Sequence, residues 1–298
     1  MYDLGILGGM GSEATETLYR MILSSTETQK DQDFPEMVIL NKSSIPDRSA
    51  YLLGQSEENP LPVLQEGTRE LNLLQVGRIA LPCNTAHAFY ADIQAVSDCP
   101  VINMLESSLE YIWRTRPGAR VCILGTLGTV RTKVYEKYNH FSLDIVYPDE
   151  AGCEEVHSVI YDIKTGIHEN MDALSDRLAL VMQKTADAMT WEAPDQVPSA
   201  PAAPSGWLSL EPASTEQGSF VPASPGQVSP GKVPAERPVF LLACTELSVL
   251  GVERFPQFDV LDAMGILAQV SVAAGSKKLR AGGIYDVQVI EAIARKYV

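Results

Sequence analysis

Short apolar runs alternate with segments of helical periodicity along most of the chain. Eight runs are rich in aliphatic and β-branched residues and predict strands: YDLGIL, MVIL, RIAL, PVIN, RVCIL, LDIVY, VFLLA and DVLD. After the sixth run, residues 172–189 carry apolar side chains at the spacing of one helical face. Because parallel neighbouring strands need crossover connections, which are usually helices, the alternation predicts an α/β fold with parallel sheets.

One segment lacks this alternation. Residues 192–238 hold ten of the 19 prolines, many Ser and Ala, and little aliphatic periodicity. Such a composition cannot bury a hydrophobic core. We interpret 192–237 as a flexible insert, which is either a solvated extension or a segment that binds a partner.

Two pairs of similar segments indicate that the chain contains two similar halves. ILGGMGSEATETLY from Ile6 matches ILGTLGTVRTKVYE from Ile123 at an offset of 117 residues. IALPCNTAH around Cys83 matches FLLACTELS around Cys244 at an offset of 161 residues. The two offsets differ by 44 residues, which is nearly the length of the insert. Once the insert is removed, both pairs of segments are therefore separated by nearly the same number of residues. Chance similarity between two strand–turn–helix units is the alternative to a duplication.

Composition narrows the class of protein. The 298 residues are 45% hydrophobic and 20% charged, and their formal net charge is −15. This negative charge repels phosphate backbones and anionic lipids, so we expect no nucleic-acid partner. No apolar run reaches the roughly 18 residues of a membrane span, and the N-terminus lacks the basic and apolar regions of a signal peptide. We therefore expect a cytoplasmic protein without membrane contact.

The five cysteines point to free thiols. Their spacing fits neither a disulfide framework nor a structural zinc site. Cys83 and Cys244 each follow a predicted strand, and ligands of parallel α/β sheets bind beyond the carboxyl ends of strands. A single strand-end cysteine is usually a small buried hydrophobic residue, but equivalent placement in both halves predicts one thiol on each side of a cleft. Cys99, Cys122 and Cys153 have no such partner and are interpreted as structural.

Two opposed thiols suit the inversion of a stereocentre, which needs a base on one face of the carbon and an acid on the other. An ordinary thiol, with a pKa of roughly 8.5, is only slightly ionised at neutral pH. The site must therefore stabilise a thiolate on one sulfur and keep the proton on the other. Helix N-termini, together with Asn84, Thr85 and Thr245, are candidates for binding a substrate carboxylate and the charge that develops in the reaction.

Two glycine-containing turns, 8–12 (GGMGS) and 125–129 (GTLGT), each connect a predicted strand to a helix. Neither matches the GxGxxG pattern of dinucleotide sites. They are either tight turns that glycine permits or small anion-binding turns. Met10 in the first turn and the hydroxyls of Thr126 and Thr129 in the second are candidate substrate-binding groups.

Six motifs, in order, resemble the aspartate/glutamate racemase family, and within it the aspartate racemase branch. They are LGILGGMGSEAT near the N-terminus, NKSSIPDR at 41–48, LPCNTAH around Cys83, ILGTLGT at 123–129, YDIKTG around Lys164 and LACTELS around Cys244. Together they span nearly the whole chain apart from the insert.

The resemblance implies two pseudo-symmetric α/β domains, each with a mainly parallel four-stranded sheet flanked by helices, and an active site in the cleft between them. We expect residues 1–101 with about 263–298 to form the first domain, and 102–262 to form the second, with 192–237 inserted in it. The resemblance also implies a homodimer, and catalysis that uses no pyridoxal phosphate, other cofactor or metal.

Position by position, the resemblance implies that Cys83 and Cys244 form the acid/base pair. Arg48 and Lys164 match basic positions that bind the charged groups of the substrate, and an arginine can grip a carboxylate with two parallel hydrogen bonds. The residues implied around the α-carboxylate are Asn84, Thr85, Thr126, Thr129 and Thr245. Beside the thiols, Glu246 and His87 either tune thiol protonation or make structural hydrogen bonds.

The sequence thus predicts a racemase that interconverts L- and D-aspartate, with glutamate as the next candidate substrate. One alternative keeps the fold but isomerises maleate or acts on another small dicarboxylate, as relatives in the superfamily do. The other alternative is a protein that binds an acidic metabolite without transforming it.

Overall fold

The first sheet lies in the N-terminal part of the chain. The structure is a computed structural model that describes residues 2–166, 170–189 and 238–298, so the predicted insert at 192–237 lies outside the described residues. Four parallel strands pair in the order β2-β1-β3-β4. They are β1 (Leu4–Gly8), β2 (Met37–Asn41), β3 (Ile79–Ala80) and β4 (Val101–Ile102).

The second sheet repeats this topology. Its four parallel strands pair in the order β6-β5-β7-β8. They are β5 (Arg120–Leu124), β6 (Asp144–Val146), β7 (Val239–Leu242) and β8 (Asp259–Asp262). All eight predicted strands are confirmed, and the identical strand order of the two sheets agrees with the internal repeat.

Helices flank both sheets and confirm the predicted α/β class. The predicted helix at 172–189 is confirmed as α8. Within the described ranges, no helix is both long and apolar enough to cross a membrane. The helices are α1 (Ser12–Ser25), α2 (Arg48–Leu52), α3 (Leu61–Leu73), α4 (Tyr90–Gln94), α5 (Met104–Thr115), α6 (Leu127–Arg131), α7 (Glu150–Lys164), α8 (Met171–Ala188), α9 (Ala263–Ala274) and α10 (Val287–Ala294).

One hydrophobic cluster joins the two sheets. It includes Leu4 and Ile6 of β1, Val121 and Ile123 of β5, and most of α9. Nine of the 12 residues of α9 are buried, and the helix packs against α1, α5 and α10. A helix that is apolar around its whole circumference belongs in a protein interior. The strands of both halves are therefore anchored to a common core, which fixes the positions of the segments that follow them.

Truncating Leu267, in the middle of α9, tests this shared core. Its side chain is fully buried. We expect Leu267→Ala to lower the free energy of unfolding by about 2–5 kcal/mol, as for other buried leucines. Leu73, which is 84% exposed at the end of α3, provides the control, and Leu73→Ala should change that free energy by less than about 0.5 kcal/mol.

Urea unfolding followed by circular dichroism measures both effects. A shared core predicts one transition that moves to lower urea in Leu267→Ala. Two separate transitions, or equal losses in the two variants, would contradict a common core.

Candidate active site

Cys83 and Cys244 lie at equivalent places in the two halves. Cys83 follows β3 and Cys244 follows β7, so both lie at the carboxyl ends of parallel strands. Each residue is 6% exposed. Short 3-10 turns come next, at Thr85–Phe89 and Leu247–Val249. The predicted strand–cysteine–turn arrangement is thus present twice.

The ring of His87 holds the main chain at Cys83. Its Nε2 accepts a hydrogen bond from the backbone N–H of Met104 over 3.1 Å. The ring proton must then be on Nδ1, which donates to the carbonyl oxygen of Cys83 over 2.8 Å. Burial lowers the pKa of His87 to about 4, so the ring is neutral at physiological pH. Since both ring nitrogens bind backbone, His87 positions the Cys83 segment.

Arg48 is a buried cation beside Cys83. It is the first residue of α2, 7% exposed, and its guanidinium donates to the carbonyl oxygen of Met10 over 2.8 Å. Burial opposes its charge, but the interaction with Cys83 and the negative charges of Asp47 and Glu246 outweigh burial and raise the pKa of Arg48. Met10, predicted to bind substrate, therefore contributes a main-chain oxygen that orients Arg48.

Cys244 has a carboxylate as its neighbour instead. Its thiol donates to Oε2 of Glu246 over 2.8 Å, and the hydroxyl of Thr245 donates to the same oxygen over 3.3 Å. Burial, and after it the charge of Glu246, raise the pKa of the Cys244 thiol well above its ordinary value. Cys244 is therefore a protonated thiol at neutral pH.

Lys164 completes this side of the site. Its Nζ lies 3.7 Å from Oε1 of Glu246. Burial opposes the charge of Lys164, but the surroundings of Lys164, with the negative charge of Glu246 as the largest favourable influence, outweigh burial and raise its pKa. The two predicted basic residues are thus both cationic, one beside each cysteine segment.

Three threonine hydroxyls from the two halves meet at one point. Thr85 Oγ1 lies 3.2 Å from Thr126 Oγ1 and 3.0 Å from Thr129 Oγ1. Thr126 also caps the N-terminus of α6, where its hydroxyl accepts from the backbone N–H of Thr129. Ser49, which the sequence did not single out, donates to Thr126 over 3.1 Å. The predicted hydroxyl groups are therefore adjacent, with Ser49 as an additional member.

Three buried polar atoms of the predicted site have no hydrogen-bond partner among the described residues. They are Nε of Arg48, Nδ2 of Asn84 and Oε1 of Glu246. A buried polar group left unpaired costs about 1–3 kcal/mol. Two donors and one acceptor are the complement of an amino acid, whose carboxylates accept hydrogen bonds and whose ammonium donates them.

The first glycine turn is a tight turn. Gly9 has φ +94°, and a Cβ at this position would lie 2.3 Å from the carbonyl carbon of Lys42. Its N–H donates to Thr15 Oγ1 over 3.0 Å, so this donor is already used within the turn. A Cβ at Gly11 would lie 3.6 Å from Oε1 of Glu246. These observations favour the tight-turn interpretation. They also place Gly11 of the first half close to the carboxylate of Glu246 in the second half.

Asp47 and Tyr161 were not identified from the sequence. Asp47 caps α2 by accepting from the backbone N–H of Ala50 over 2.8 Å, and its other oxygen accepts from the Tyr161 hydroxyl over 3.3 Å. The ring of Tyr161 on α7 lies 4.9 Å from Nζ of Lys164. These contacts join the helix of Arg48 to the helix of Lys164. The capping position of Asp47 before a short helix was the available signal.

Comparisons with known proteins identify the family of this chain. A sequence profile of the Asp/Glu/hydantoin racemase family matches residues 7–190. The broad specificity amino-acid racemase RacX of Bacillus subtilis (strain 168) is 28% identical over 189 residues, which cover 62% of this chain and 81% of that protein.

Solved structures show the same fold. The Picrophilus torridus aspartate racemase superposes with a TM-score of 0.71 at 21% identity, covering 97% of this chain and 98% of that one. An aspartate racemase homologue from Pyrococcus horikoshii OT3 gives a TM-score of 0.60 at 18% identity, covering 93% and 100% of the two chains. Because the profile spans more than half of the sequence, the chain belongs to the Asp/Glu/hydantoin racemase family and is an enzyme of the racemase class.

Proposed function

We propose that this enzyme interconverts L- and D-aspartate, with glutamate as the next candidate, by a two-base proton transfer between Cys83 and Cys244. The observation that carries the proposal is the unlike surroundings of two equivalent thiols. A buried guanidinium lies beside Cys83, whereas Cys244 donates its proton to a carboxylate. A cation beside one sulfur and a carboxylate beside the other give the two thiols unequal surroundings, and a two-base racemase needs two thiols in unlike states.

The reaction then balances without a further reactant. The Cys83 thiolate removes the α-proton from one enantiomer, and the Cys244 thiol donates its proton to the opposite face of the carbon. The product leaves Cys83 as a thiol and Cys244 as a thiolate. This second state either acts on the other enantiomer or returns to the first, when Cys83 loses its proton to water and Cys244 regains one from water.

Stabilisation of the α-carbanion is assigned to donors around the substrate α-carboxylate, onto which the negative charge spreads. The unpaired Nδ2 of Asn84 and the hydroxyls of Thr85, Thr126 and Thr129 are the candidates. Fixed donors in a buried site stabilise developing charge more strongly than water does. Thr245 is assigned an indirect role, since its hydroxyl donates to Glu246.

The acidic substrate is inferred from charge. Arg48 is a buried cation and Lys164 a half-buried one, and the Nε–H of Arg48, which has no hydrogen-bond partner among the described residues, can donate to a carboxylate. In a chain of net charge −15, such cations are needed to hold a dianionic substrate. Aspartate is the first candidate because it carries two carboxylates, one for each of the two cations.

The direct test is incubation of the reduced enzyme with each enantiomer of aspartate and glutamate, followed by chiral chromatography and NMR. Inversion supports the proposal. Conversion of maleate to fumarate without inversion of any amino acid would support the dicarboxylate-isomerase alternative. Binding with chemically unchanged aspartate would support the non-catalytic alternative.

Replacement of either thiol separates the two bases. We expect Cys83→Ala and Cys244→Ala each to abolish racemisation, because a proton can then be removed from one face but not delivered to the other. Each variant should keep α-proton exchange with deuterated water for a single enantiomer, opposite in the two cases. The half-buried Cys99 supplies the control Cys99→Ala, which should racemise like the parent. Parental racemisation in either of the first two variants would refute the assignment.

Lys164 tests the requirement for an acidic side chain. Truncating a buried charge that binds an opposite charge costs about 2–5 kcal/mol. We expect Lys164→Met to lower kcat/KM for aspartate by at least about 30-fold, a conservative share of that loss. Lys184→Met, at an exposed position of α8, should leave kcat/KM unchanged. An undiminished kcat/KM in Lys164→Met would remove Lys164 from the substrate site.

Glu246 tests how the Cys244 proton is held. The carboxylate is one cause of the raised pKa of Cys244, so Glu246→Gln should lower that pKa and increase the thiolate fraction at any given pH. In a Cys83→Ala background, where Cys244 is the remaining base, the pH profile of α-proton exchange should therefore shift to lower pH. The exposed Glu253 gives the control Glu253→Gln, and an equal shift there, or a shift to higher pH in Glu246→Gln, would contradict this role.

A further inference from the structure

Tyr135 reaches from the second half to a site residue of the first. It follows α6 and is fully buried. Its hydroxyl donates to Oδ1 of Asn84 over 2.6 Å. Burial raises the pKa of Tyr135 well above its ordinary value, so the hydroxyl keeps its proton and acts as a donor. Asn84 directly follows Cys83 in the sequence and is itself a candidate substrate-binding residue, so this contact belongs to the candidate site.

The hydroxyl of Tyr135 is specific to the second half. At the repeat offset of 117 residues, Tyr135 aligns with Leu18. Leu18 lies within α1 and Tyr135 lies beyond the end of α6, and both are fully buried in the same hydrophobic cluster. The hydrogen bond to Asn84 therefore has no counterpart at the aligned position of the first half.

The bond fixes the orientation of the Asn84 amide. A side-chain amide has one accepting end and one donating end, and in this structure the Tyr135 hydroxyl donates to the accepting end. With Oδ1 held by Tyr135, Nδ2 must point the other way. Nδ2 is buried and has no hydrogen-bond partner within the described part of the chain. Asn84 is only 3% exposed, so water outside the protein does not satisfy this donor.

We propose that Tyr135 is a positioning residue that locks the Asn84 amide with its donor toward the substrate α-carboxylate. This inference rests on the proposed function. Without the hydroxyl, the amide can rotate by half a turn and turn its oxygen toward the carboxylate, which replaces an attractive contact with a repulsive one. Tyr135 thereby determines which end of the Asn84 amide faces the substrate.

A double-mutant cycle isolates this role. Tyr135→Phe removes the hydroxyl and should raise KM for aspartate by about tenfold, the factor expected for the loss of one charge-assisted hydrogen bond. Asn84→Ala removes the group through which Tyr135 acts. In that background, Tyr135→Phe should change KM by less than about twofold, because effects carried through one shared contact do not add.

Tyr138 provides a matched control. Its hydroxyl also crosses between the halves and donates to the carbonyl oxygen of His87 over 2.8 Å. Tyr138→Phe therefore removes a buried tyrosine hydroxyl from the same region without touching the Asn84 amide. We expect its melting temperature to fall as much as that of Tyr135→Phe, with KM unchanged.

Asn84→Asp gives an independent test that leaves Tyr135 intact. The carboxylate keeps an acceptor for Tyr135 and replaces Nδ2 by an oxygen, so KM should rise more than in Asn84→Ala. If Asn84→Asp binds aspartate as well as Asn84→Ala does, or if Tyr135→Phe raises KM equally in both backgrounds, Tyr135 does not act through the donor of Asn84 and the proposal is overturned.

Isothermal calorimetry with L- and D-aspartate separates this inference from the function on which it rests. Racemisation with a KM that does not depend on Tyr135 overturns the positioning role alone. In a second outcome, the enzyme racemises nothing, Tyr135→Phe raises the dissociation constant of the parent, and the same substitution leaves the dissociation constant of Asn84→Ala unchanged. This result keeps the positioning role and overturns the racemase proposal. Absence of both binding and racemisation overturns both.

Discussion

The hydrogen bond from the Cys244 thiol to the Glu246 carboxylate makes the two cysteines of a duplicated fold chemically unlike. At 2.8 Å it holds a proton on a buried sulfur whose pKa is already raised by burial. Glu246 in turn faces Lys164, and Arg48 lies beside Cys83. Both cations therefore have carboxylates near them, Glu246 for Lys164 and Asp47 with Glu246 for Arg48. Removing one of them would leave another buried and unpaired, which is why the site depends on the whole set.

The two halves place their cysteines alike, but the residues around the two cysteines differ. Both sheets have the same strand order, and each delivers a cysteine at the end of an interior strand. The residues around the cysteines differ between the halves in ways that break the symmetry. At the repeat offsets, each residue of the first half aligns with a different residue type of the second. The pairs, with the first half given first, are Asn84/Thr245, Thr85/Glu246, His87/Ser248 and Leu18/Tyr135. The first half uses an imidazole to fix the cysteine main chain, whereas the second uses a carboxylate to bind the thiol itself.

Most of the fold could be predicted from local pattern, because continuous apolar runs in a parallel sheet and helical spacing between them are short-range signals. The cysteine pair followed from the repeat register. Contacts between residues far apart in sequence could not be predicted: Tyr135 to Asn84, Tyr161 to Asp47, and Ser49 to Thr126. Met10 was identified for its place in a turn, yet its main-chain oxygen is the group that binds Arg48. Sequence names a residue but not which of its atoms is used.

The most direct measurement of opposed thiol bases is the position of deuterium in early turnover. L-aspartate is incubated with the enzyme in deuterated water, and both enantiomers are isolated before equilibrium and analysed by mass spectrometry. Two bases on opposite faces predict deuterium in the D-aspartate formed and almost none in the L-aspartate recovered, because the proton is delivered by a different group from the one that removed it. Equal deuterium in both enantiomers from the first turnovers would mean that one base serves both faces, and would contradict the assignment of Cys83 and Cys244.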